Sequence, residues 1–411
     1  MTASPPSATA RRFSIIETAP PDPILGLTEA FQNDSNPDKM NLSVGVYKDA
    51  SGQTPILQCV KAAEDKILAS EVTKGYLGID GLPDYRHHVR DLMLTGSDGC
   101  SQVEPERVGV LQTPGGTGAL RVAADFIRTQ LPEPKIWIPN PTWANHNAIL
   151  TAAGLPTEPY RYLAADKTSL DFDALIEDLE SKPKPGDVIL LHGCCHNPTG
   201  VDPNDLQWLR IAEVLAQRHL LPMVDFAYQG FGRGLVEDAA GLHTILSKNP
   251  EAIICSSFSK NFGLYSERVG AVSLIAATHE EASAAHSQLK RAVRANYSNP
   301  PRHGGAIVAT ILGDDTLSAQ WHDELDAMRE RIHRLRSGFV DGMKRTGVDR
   351  DFSFLLGQYG MFSFSGLTPM QVDELRSKYS IYIVGSGRIN VAGISEDRMD
   401  QLCAAVADVI G

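Results

Sequence analysis

Lys260 stands in the stretch SSFSKNFGLYSERVG, residues 256 to 270, just beyond an apolar run that reads as a buried strand. Serines flank it on the N-terminal side and Arg268 lies eight positions beyond. A lysine that leaves a strand into a cleft is desolvated, which favours the neutral amine and suits Schiff-base chemistry with a carbonyl. Ser257-x-x-Lys260 also fits the SxxK pattern of serine acyl-transferring enzymes, but no SDN or KTG companion element accompanies it. Taken singly the lysine would be an ordinary surface residue; the phosphate-type donors Ser257 and Arg268 beside it point to a ligand.

Three further segments carry candidate chemistry. QTPGGTGALR, residues 112 to 121, sets Gly115, Gly116, Thr117 and Gly118 between a strand and a helix, where free backbone amides and a hydroxyl suit a phosphate. It is not a GxGxxG fingerprint, because Arg121 holds the final glycine position, and it lacks the GKS/T of a P-loop. In CCHNPTG, residues 194 to 200, a sharp turn after DVILLHG can aim the Asn197 amide into a cleft. Adjacent Cys194 and Cys195 do not have the spacing of a structural zinc site, so no metal is expected. MVDFAYQGF, residues 223 to 231, ends a strand with Asp225, whose desolvated carboxylate calls for a cationic partner. Alone it would read as a helix cap or a structural salt bridge. Tyr228, three residues on, can offer its hydroxyl to the same ligand.

The elements that must hold these residues alternate along the chain. VGVLQT, KIWIP, DVILLHG, LLPMVDF, AIICSSF and GAVSLIA read as buried strands. Between two of them a helix is expected with Asp202 as N-cap, Pro203 at N1 and an apolar stripe of Leu206, Leu209, Ile211, Ala212 and Leu215. Such alternation implies βαβ units and a largely parallel sheet covered on both faces. A long charged helix is predicted from about Asp315 to Met343, ending near Gly347. Beyond it DFSFLL, MFSFSGL, IYIVG and RINVAG read as shorter strands around a helix from Pro369 to Lys378, a smaller α/β domain.

Composition limits the partners. The 411 residues carry 38 Lys plus Arg against 50 Asp plus Glu, a net charge of -12, and 42% are hydrophobic. That balance supports a sizeable core and argues against nucleic acid or an anionic membrane surface as partner. No apolar run reaches the roughly 18 residues of a membrane span. Six cysteines in so long a chain do not make a disulfide scaffold, so a reducing, cytoplasmic setting is expected. The opening MTASPPSATARRFSII has the Ser, Ala and Arg content of a transit peptide. Its two prolines spoil an amphipathic helix, and a short flexible arm is expected.

With these segments in order, the chain resembles class I aminotransferases dependent on pyridoxal phosphate, in their aspartate/aromatic subgroup. APPDPILGL, NLSVGVYKD, GYLGIDGLPDYR, QTPGGTGALR, NPTWANH, HNPTG, DFAYQGF, SFSKNFGLYSERVG, RANYSNPP, GMFSFSGL and RINVAG carry the resemblance from about residue 13 to the C-terminus. It implies fold type I: a large domain with a mostly parallel seven-stranded sheet between helices, plus a smaller α/β domain. The division expected is 1–54 for an N-terminal arm and part of the small domain, 55–327 for the large cofactor-binding domain and 328–411 for the rest of the small domain.

The resemblance also implies roles. Lys260 would carry pyridoxal 5'-phosphate covalently, Asp225 would pair with its ring nitrogen, and Tyr228 and Asn197 would bond its phenolic oxygen. Trp143 would stack on the ring. Gly116, Thr117, Ser257 and Arg268 would hold the phosphate, joined by Tyr76 of a neighbouring subunit. Gly45 would line the substrate site with Trp143 and Asn197. Arg388 would grip the substrate α-carboxylate, and Arg294 the distal carboxylate in the partner subunit, since a guanidinium fork matches a carboxylate bidentately. The implied protein is a homodimeric aminotransferase with shared active sites, moving the amino group of L-aspartate to 2-oxoglutarate by a ping-pong mechanism. Rival readings are a main activity on aromatic amino acids, a decarboxylase or lyase on the same fold, and a binding or regulatory module that retains the cofactor.

Overall fold

Fully apolar strands need cover on both faces, and the computed structural model provides it. It describes residues 13, 15–18 and 23–411; the expected arm lies largely outside the described residues. The strands are β1 (Met40–Asn41), β2 (Val108–Pro114), β3 (Ile136–Asn140), β4 (Thr157–Arg161), β5 (Val188–His192), β6 (Leu221–Phe226), β7 (Ala252–Ser257), β8 (Val269–Ile275), β9 (Phe362–Phe364), β10 (Ile381–Tyr382) and β11 (Arg388–Asn390). Seven form the main sheet in the order β2-β8-β7-β6-β5-β3-β4. Strand β8 runs antiparallel to both of its neighbours, and the other pairs are parallel.

Every residue of β5, β7 and β8 is buried, as a sheet sandwiched between helices requires. Met223, Ile253 and Val272 join one apolar layer with Leu120 and Ile127 of helix Gly115–Gln130. Val224, Ile254 and Ala271 face the opposite layer, which contains Tyr85, Trp321 and Leu325. The parallel strands all end on one edge of the sheet, where side chains from several strands can converge on a ligand.

Register brings the distant segments together. Gly270 of β8 pairs with Thr113 on one side and with Ser257 on the other. A Cβ at Gly270 would lie 2.4 Å from the Gly115 carbonyl carbon and 2.7 Å from the Ser256 carbonyl oxygen, so no side chain fits there. The glycine-rich turn and the Ser257–Lys260 segment therefore close on one another across β8.

The C-terminal region holds the parallel pair β1–β10, the antiparallel pair β9–β11 and helices Pro369–Tyr379 and Met399–Ile410. A 32-residue helix, Asp315–Thr346, runs into it, capped by Asp314 and ended at Gly347. The expected boundary between 327 and 328 falls inside this helix. None of the described helices is long and apolar enough to cross a membrane.

Three local expectations are corrected. The helix after β5 is Asp205–Gln217 with Asn204, not Asp202, as its cap; Asn204 and Gln207 form a reciprocal capping box. Leu206 is 79% exposed and Leu209 only partly covered, and the buried face is instead Trp208, Ile211, Ala212, Val214 and Leu215. DFSFLL is no strand: Ser353–Gly357 forms a 3₁₀ turn that buries Phe352 and Leu355.

Trp321 fastens the long helix to the segment following Lys260. It is fully buried, its ring stacks on Phe262 at 4.3 Å, and its Nε1–H donates to the Asn261 carbonyl at 2.8 Å. Trp321→Ala is expected to cost about 3–5 kcal/mol of stability, read as a lowered unfolding midpoint, with Trp321→Phe losing less. Equal midpoints for wild type and Trp321→Ala would contradict this anchoring.

Candidate active site

At the strand ends lies a cleft of about 270 Å³ lined by Gly45, Gly116, Thr117, Trp143, Asn197, Asp225, Tyr228, Ser257, Lys260, Arg268 and Arg388, together with Leu120, Ala227, Ser259, Tyr265 and Phe362. All of the first group were singled out from the sequence.

One end of the cleft is built for an anion. Helix Gly115–Gln130 starts directly from β2 with no side-chain cap, which leaves its first amides free. Gly115 has φ +74, and a Cβ there would lie 2.5 Å from Arg268 Nη2; a Cβ on Gly116 would lie 2.9 Å from Ser257 Cβ. Only bare backbone allows the guanidinium and the serine to close over the turn. Arg268 Nη1 donates to Ser259 Oγ at 3.4 Å and to the Tyr265 carbonyl at 3.1 Å, and no carboxylate pairs with it among the described residues.

The other end is set by Asp225, 8% exposed on β6. Burial pushes its carboxyl up, yet the hydrogen bond from His146 and the nearby basic side chains, Lys260 among them, hold it below the ordinary carboxylate value. A chain of side chains fixes this arrangement. The Asn197 N–H donates to His192 Nδ1 at 3.5 Å, so the His192 proton sits on Nε2 and reaches Thr142 Oγ1 at 3.0 Å. The Thr142 hydroxyl then donates to His146 Nδ1 at 2.8 Å, and His146 Nε2–H donates to Asp225 Oδ2 at 2.9 Å. Trp143 packs edge-on against His146, with ring centroids 5.3 Å apart.

Between the two ends stands the amine. Lys260 Nζ lies 4.7 Å from the centre of the Tyr228 ring. Burial pulls its pKa down to about 8, Asp225 opposes that and Arg268 adds to it. The Tyr228 hydroxyl accepts from Asn197 Nδ2 at 3.3 Å, and burial pushes it up. Asn197 Oδ1 is buried without a partner.

Arg388 closes the cleft from β11. It is 5% exposed, donates to the Ser43 carbonyl at 2.5 Å and lies 4.4 Å over the Phe362 ring, while its Nε has no partner. No carboxylate among the described residues pairs with it, and burial lowers its pKa. A buried guanidinium in that state suits a ligand carboxylate.

Tyr76 and Arg294 do not line this cleft. Tyr76 is 98% exposed, and Arg294 is an exposed residue bonded to Ser298. Sequence reasoning gave no role to His146, Thr142 and His192, which share no periodic pattern and meet only in space. Cys194, Cys195 and Asp238 bring possible metal-ligating atoms within 4.8 Å of one another. The Asp238 carboxylate already accepts the amides of Gly230, Gly232 and Arg233, and burial pushes both thiols up, so the cluster is explained as a turn brace.

The unpaired oxygen of Asn197, the open glycine turn and the carboxylate of Asp225 together fit an aromatic phosphate ester bearing a protonated ring nitrogen, held near an amine. Comparison with known proteins agrees in kind. The family described as aminotransferase class I and II matches residues 37–406. The chain is 52% identical to the aspartate aminotransferase of Salmonella typhi over 97% of this chain and 100% of that protein. It is 46% identical to the aromatic-amino-acid aminotransferase of Pseudomonas aeruginosa, over 97% and 98%. A solved aromatic-amino-acid aminotransferase from Burkholderia pseudomallei, covalently bound to pyridoxal phosphate, superposes with a TM-score of 0.94 at 46% identity, covering 98% of this chain and 100% of that one.

The electrostatics of Lys260 can be tested directly. In protein freed of cofactor, competitive amine labelling read by mass spectrometry should show Lys260 titrating near pH 8. Asp225→Asn removes the charge that favours the ammonium, so the midpoint should fall further. An unmoved or raised midpoint would break the coupling between the two residues.

Proposed function

The chain belongs to the class I and class II aminotransferases, and we propose that it moves the amino group of L-aspartate to 2-oxoglutarate with pyridoxal 5'-phosphate, in two half-reactions sharing one cleft. The observation that carries this reading is a single cleft holding a nucleophilic amine, a buried carboxylate and an arginine without a carboxylate of its own. The naming of relatives about half identical over their full length as aspartate aminotransferases supports it.

Bound here, pyridoxal phosphate supplies an electron sink for bonds at the substrate Cα. Gly116, Thr117, Ser257 and Arg268 would hold its phosphate, and Trp143 would border its ring. Asp225, oriented by His146, keeps a proton on the ring nitrogen. Asn197 and Tyr228 hold the phenolic oxygen. Lys260 would hold the cofactor through its amine and, once freed by an amino acid, would serve as the base at the substrate Cα, a task that its lowered pKa suits near neutrality. Arg388 grips the α-carboxylate beside Gly45.

The distal carboxylate goes to Arg294 of a second copy. We read the molecule as a homodimer with shared clefts; the exposure of Arg294 and Tyr76 outside their own cleft supports this. We keep the division 1–54, 55–327 and 328–411, with the helix Asp315–Thr346 running through both larger parts. Six unpaired cysteines support a cytoplasmic setting. A relative named as an aromatic-amino-acid aminotransferase makes phenylalanine and tyrosine the second donors to assay.

Steady-state assays with a panel of donors, and borohydride reduction with peptide mapping, test the reading: aspartate should be a good donor and Lys260 should carry the label. Arg294→Leu should lower kcat/KM for aspartate by roughly two orders of magnitude, because loss of one partner from a buried charge pair costs about 2–5 kcal/mol, while phenylalanine changes little. Equal losses for both donors would remove Arg294 from the distal site.

Mixing Lys260→Ala with Arg294→Leu subunits tests the shared cleft. Random exchange makes half the dimers mixed, and in each of these one cleft has both residues intact, so roughly a quarter of wild-type activity should return. No recovery after proven exchange means that both residues serve one chain's cleft.

A further inference from the structure

The loop that carries Asn197 into the cleft is gripped by a carboxylate just beyond it. Asp202 Oδ2 accepts the Cys195 N–H at 2.6 Å and Oδ1 accepts the His196 N–H at 2.8 Å. Cys195 has φ +51, a conformation that non-glycine residues keep only where their surroundings force it. The rest of the turn is internally tied: the Gly200 N–H donates to the His196 carbonyl at 2.7 Å, and Thr199 Oγ1 meets His196 Nδ1 at 2.9 Å. None of these inner bonds engages the N–H groups of Cys195 and His196. That falls to Asp202.

Among the described residues Asp202 has no close cation. It borders a cavity of about 250 Å³ together with Cys194, Arg233, Glu237, Asp238 and Tyr359. The Asp238 carboxylate, on the helix Leu235–Lys248, repels it, and Arg233 attracts it from a distance while its own guanidinium reaches Asp205 and the Glu237 carbonyl. The thiols of Cys194 and Cys195 and the Tyr162 hydroxyl are all pushed up by burial and stay neutral. Burial likewise pulls His196 down to about 3, so it brings no positive charge. The two amides are therefore the main groups that stabilise a charge on Asp202.

We propose that the Asp202 carboxylate is the positioning residue of the active-site loop: its two oxygens hold the Cys195 and His196 amides so that Asn197 meets Tyr228, and protonation releases one of them. Burial raises the carboxyl to about 7, against the opposing pull of both amides. Above that pH both oxygens accept. Below it one oxygen bears a proton and faces an N–H donor, and one clasp is lost. Linkage gives an opposite sign for global stability. A carboxyl whose pKa rises from 3.8 unfolded to about 7 folded contributes stability that is fully present below 3.8 and lost as pH rises through 7. Through this group the fold gains as the pH drops, while the loop loosens.

That opposition makes the test specific. It rests on the reading of Asn197 as a cofactor ligand only in its second arm. In the first, hydrogen exchange by mass spectrometry is followed on the full-length protein with and without pyridoxal phosphate, corrected for intrinsic exchange. Wild type should lose about tenfold in protection at residues 195–196 between pH 8 and pH 6, roughly one ionisation's worth per pH unit below 7. Asp202→Asn should show low protection at both pH values, with β5 unchanged and no fall in unfolding midpoint at pH 6. Wild-type protection in Asp202→Asn, or wild-type protection independent of pH, overturns the proposal. In the second arm, Asp202→Asn should cost about tenfold in kcat/KM, and add nothing in an Asn197→Ala background. Fully additive losses would show that Asp202 does not act through Asn197.

Discussion

A carboxylate withdrawn from bulk solvent must be matched by donors or by positive charge, and the architecture around Asp225 is the consequence of that demand. It sits on β6, a central strand of the main sheet, so it cannot turn to solvent. Three elements answer it. The segment after β3 brings Thr142 and, from the start of helix Asn145–Ala152, His146; the end of β5 brings His192, and the loop after β5 supplies the Asn197 amide that settles the tautomers. Each donor in that row is oriented by the next. Removing any member leaves a buried proton or lone pair unanswered.

A similar economy holds the C-terminal region to the rest. Arg331 and Arg336, on the long helix Asp315–Thr346, are buried and donate through Nη2 to carbonyls rather than to carboxylates: Ile394 for one, Gly360 for the other. Burial pulls Arg336 down to about 10. Arg336 thereby holds the segment 358–364, which in turn carries Phe362 beneath Arg388 and touches the Asn197 loop where the Tyr359 N–H donates to the Gly200 carbonyl at 2.6 Å. The substrate end and the cofactor end of the cleft thus share one set of braces.

Much of this was legible in the sequence because β5, β7 and β8 are covered on both faces and so read as unbroken apolar runs. Edge strand β4, TEPYR, was not legible: only Tyr160 is buried, and four polar or imino residues surround it. Asp202 was misread as a helix cap because Pro203 follows it, whereas its carboxylate turns back to the preceding loop and Asn204 takes the cap. DFSFLL has the composition of a strand, but its buried residues recur at an interval of three, the spacing of a 3₁₀ turn. The cleft residues that motifs could carry were found. His146, Thr142 and His192 were not, since a hydrogen-bonded row crossing two strands leaves no period in the chain.

The antiparallel strand β8 decides when this site can exist during synthesis. Val108 pairs with Ile275 and Pro114 with Val269, so β2 has no partner in the sheet other than a strand made long after it. A ribosome that has completed Lys260 has produced the amine, the carboxylate and the glycine turn, yet the two halves of the anion cradle have nothing to hold them in register. Closure waits for a loop of high sequence separation, the kind whose entropy must be met before any contact rewards it. Until Gly270 slides between Thr113 and Ser257, the nascent chain exposes the unpaired edges of β2 and β7. Such edges recruit other strands, so this interval is when the chain is most prone to pair with a neighbour.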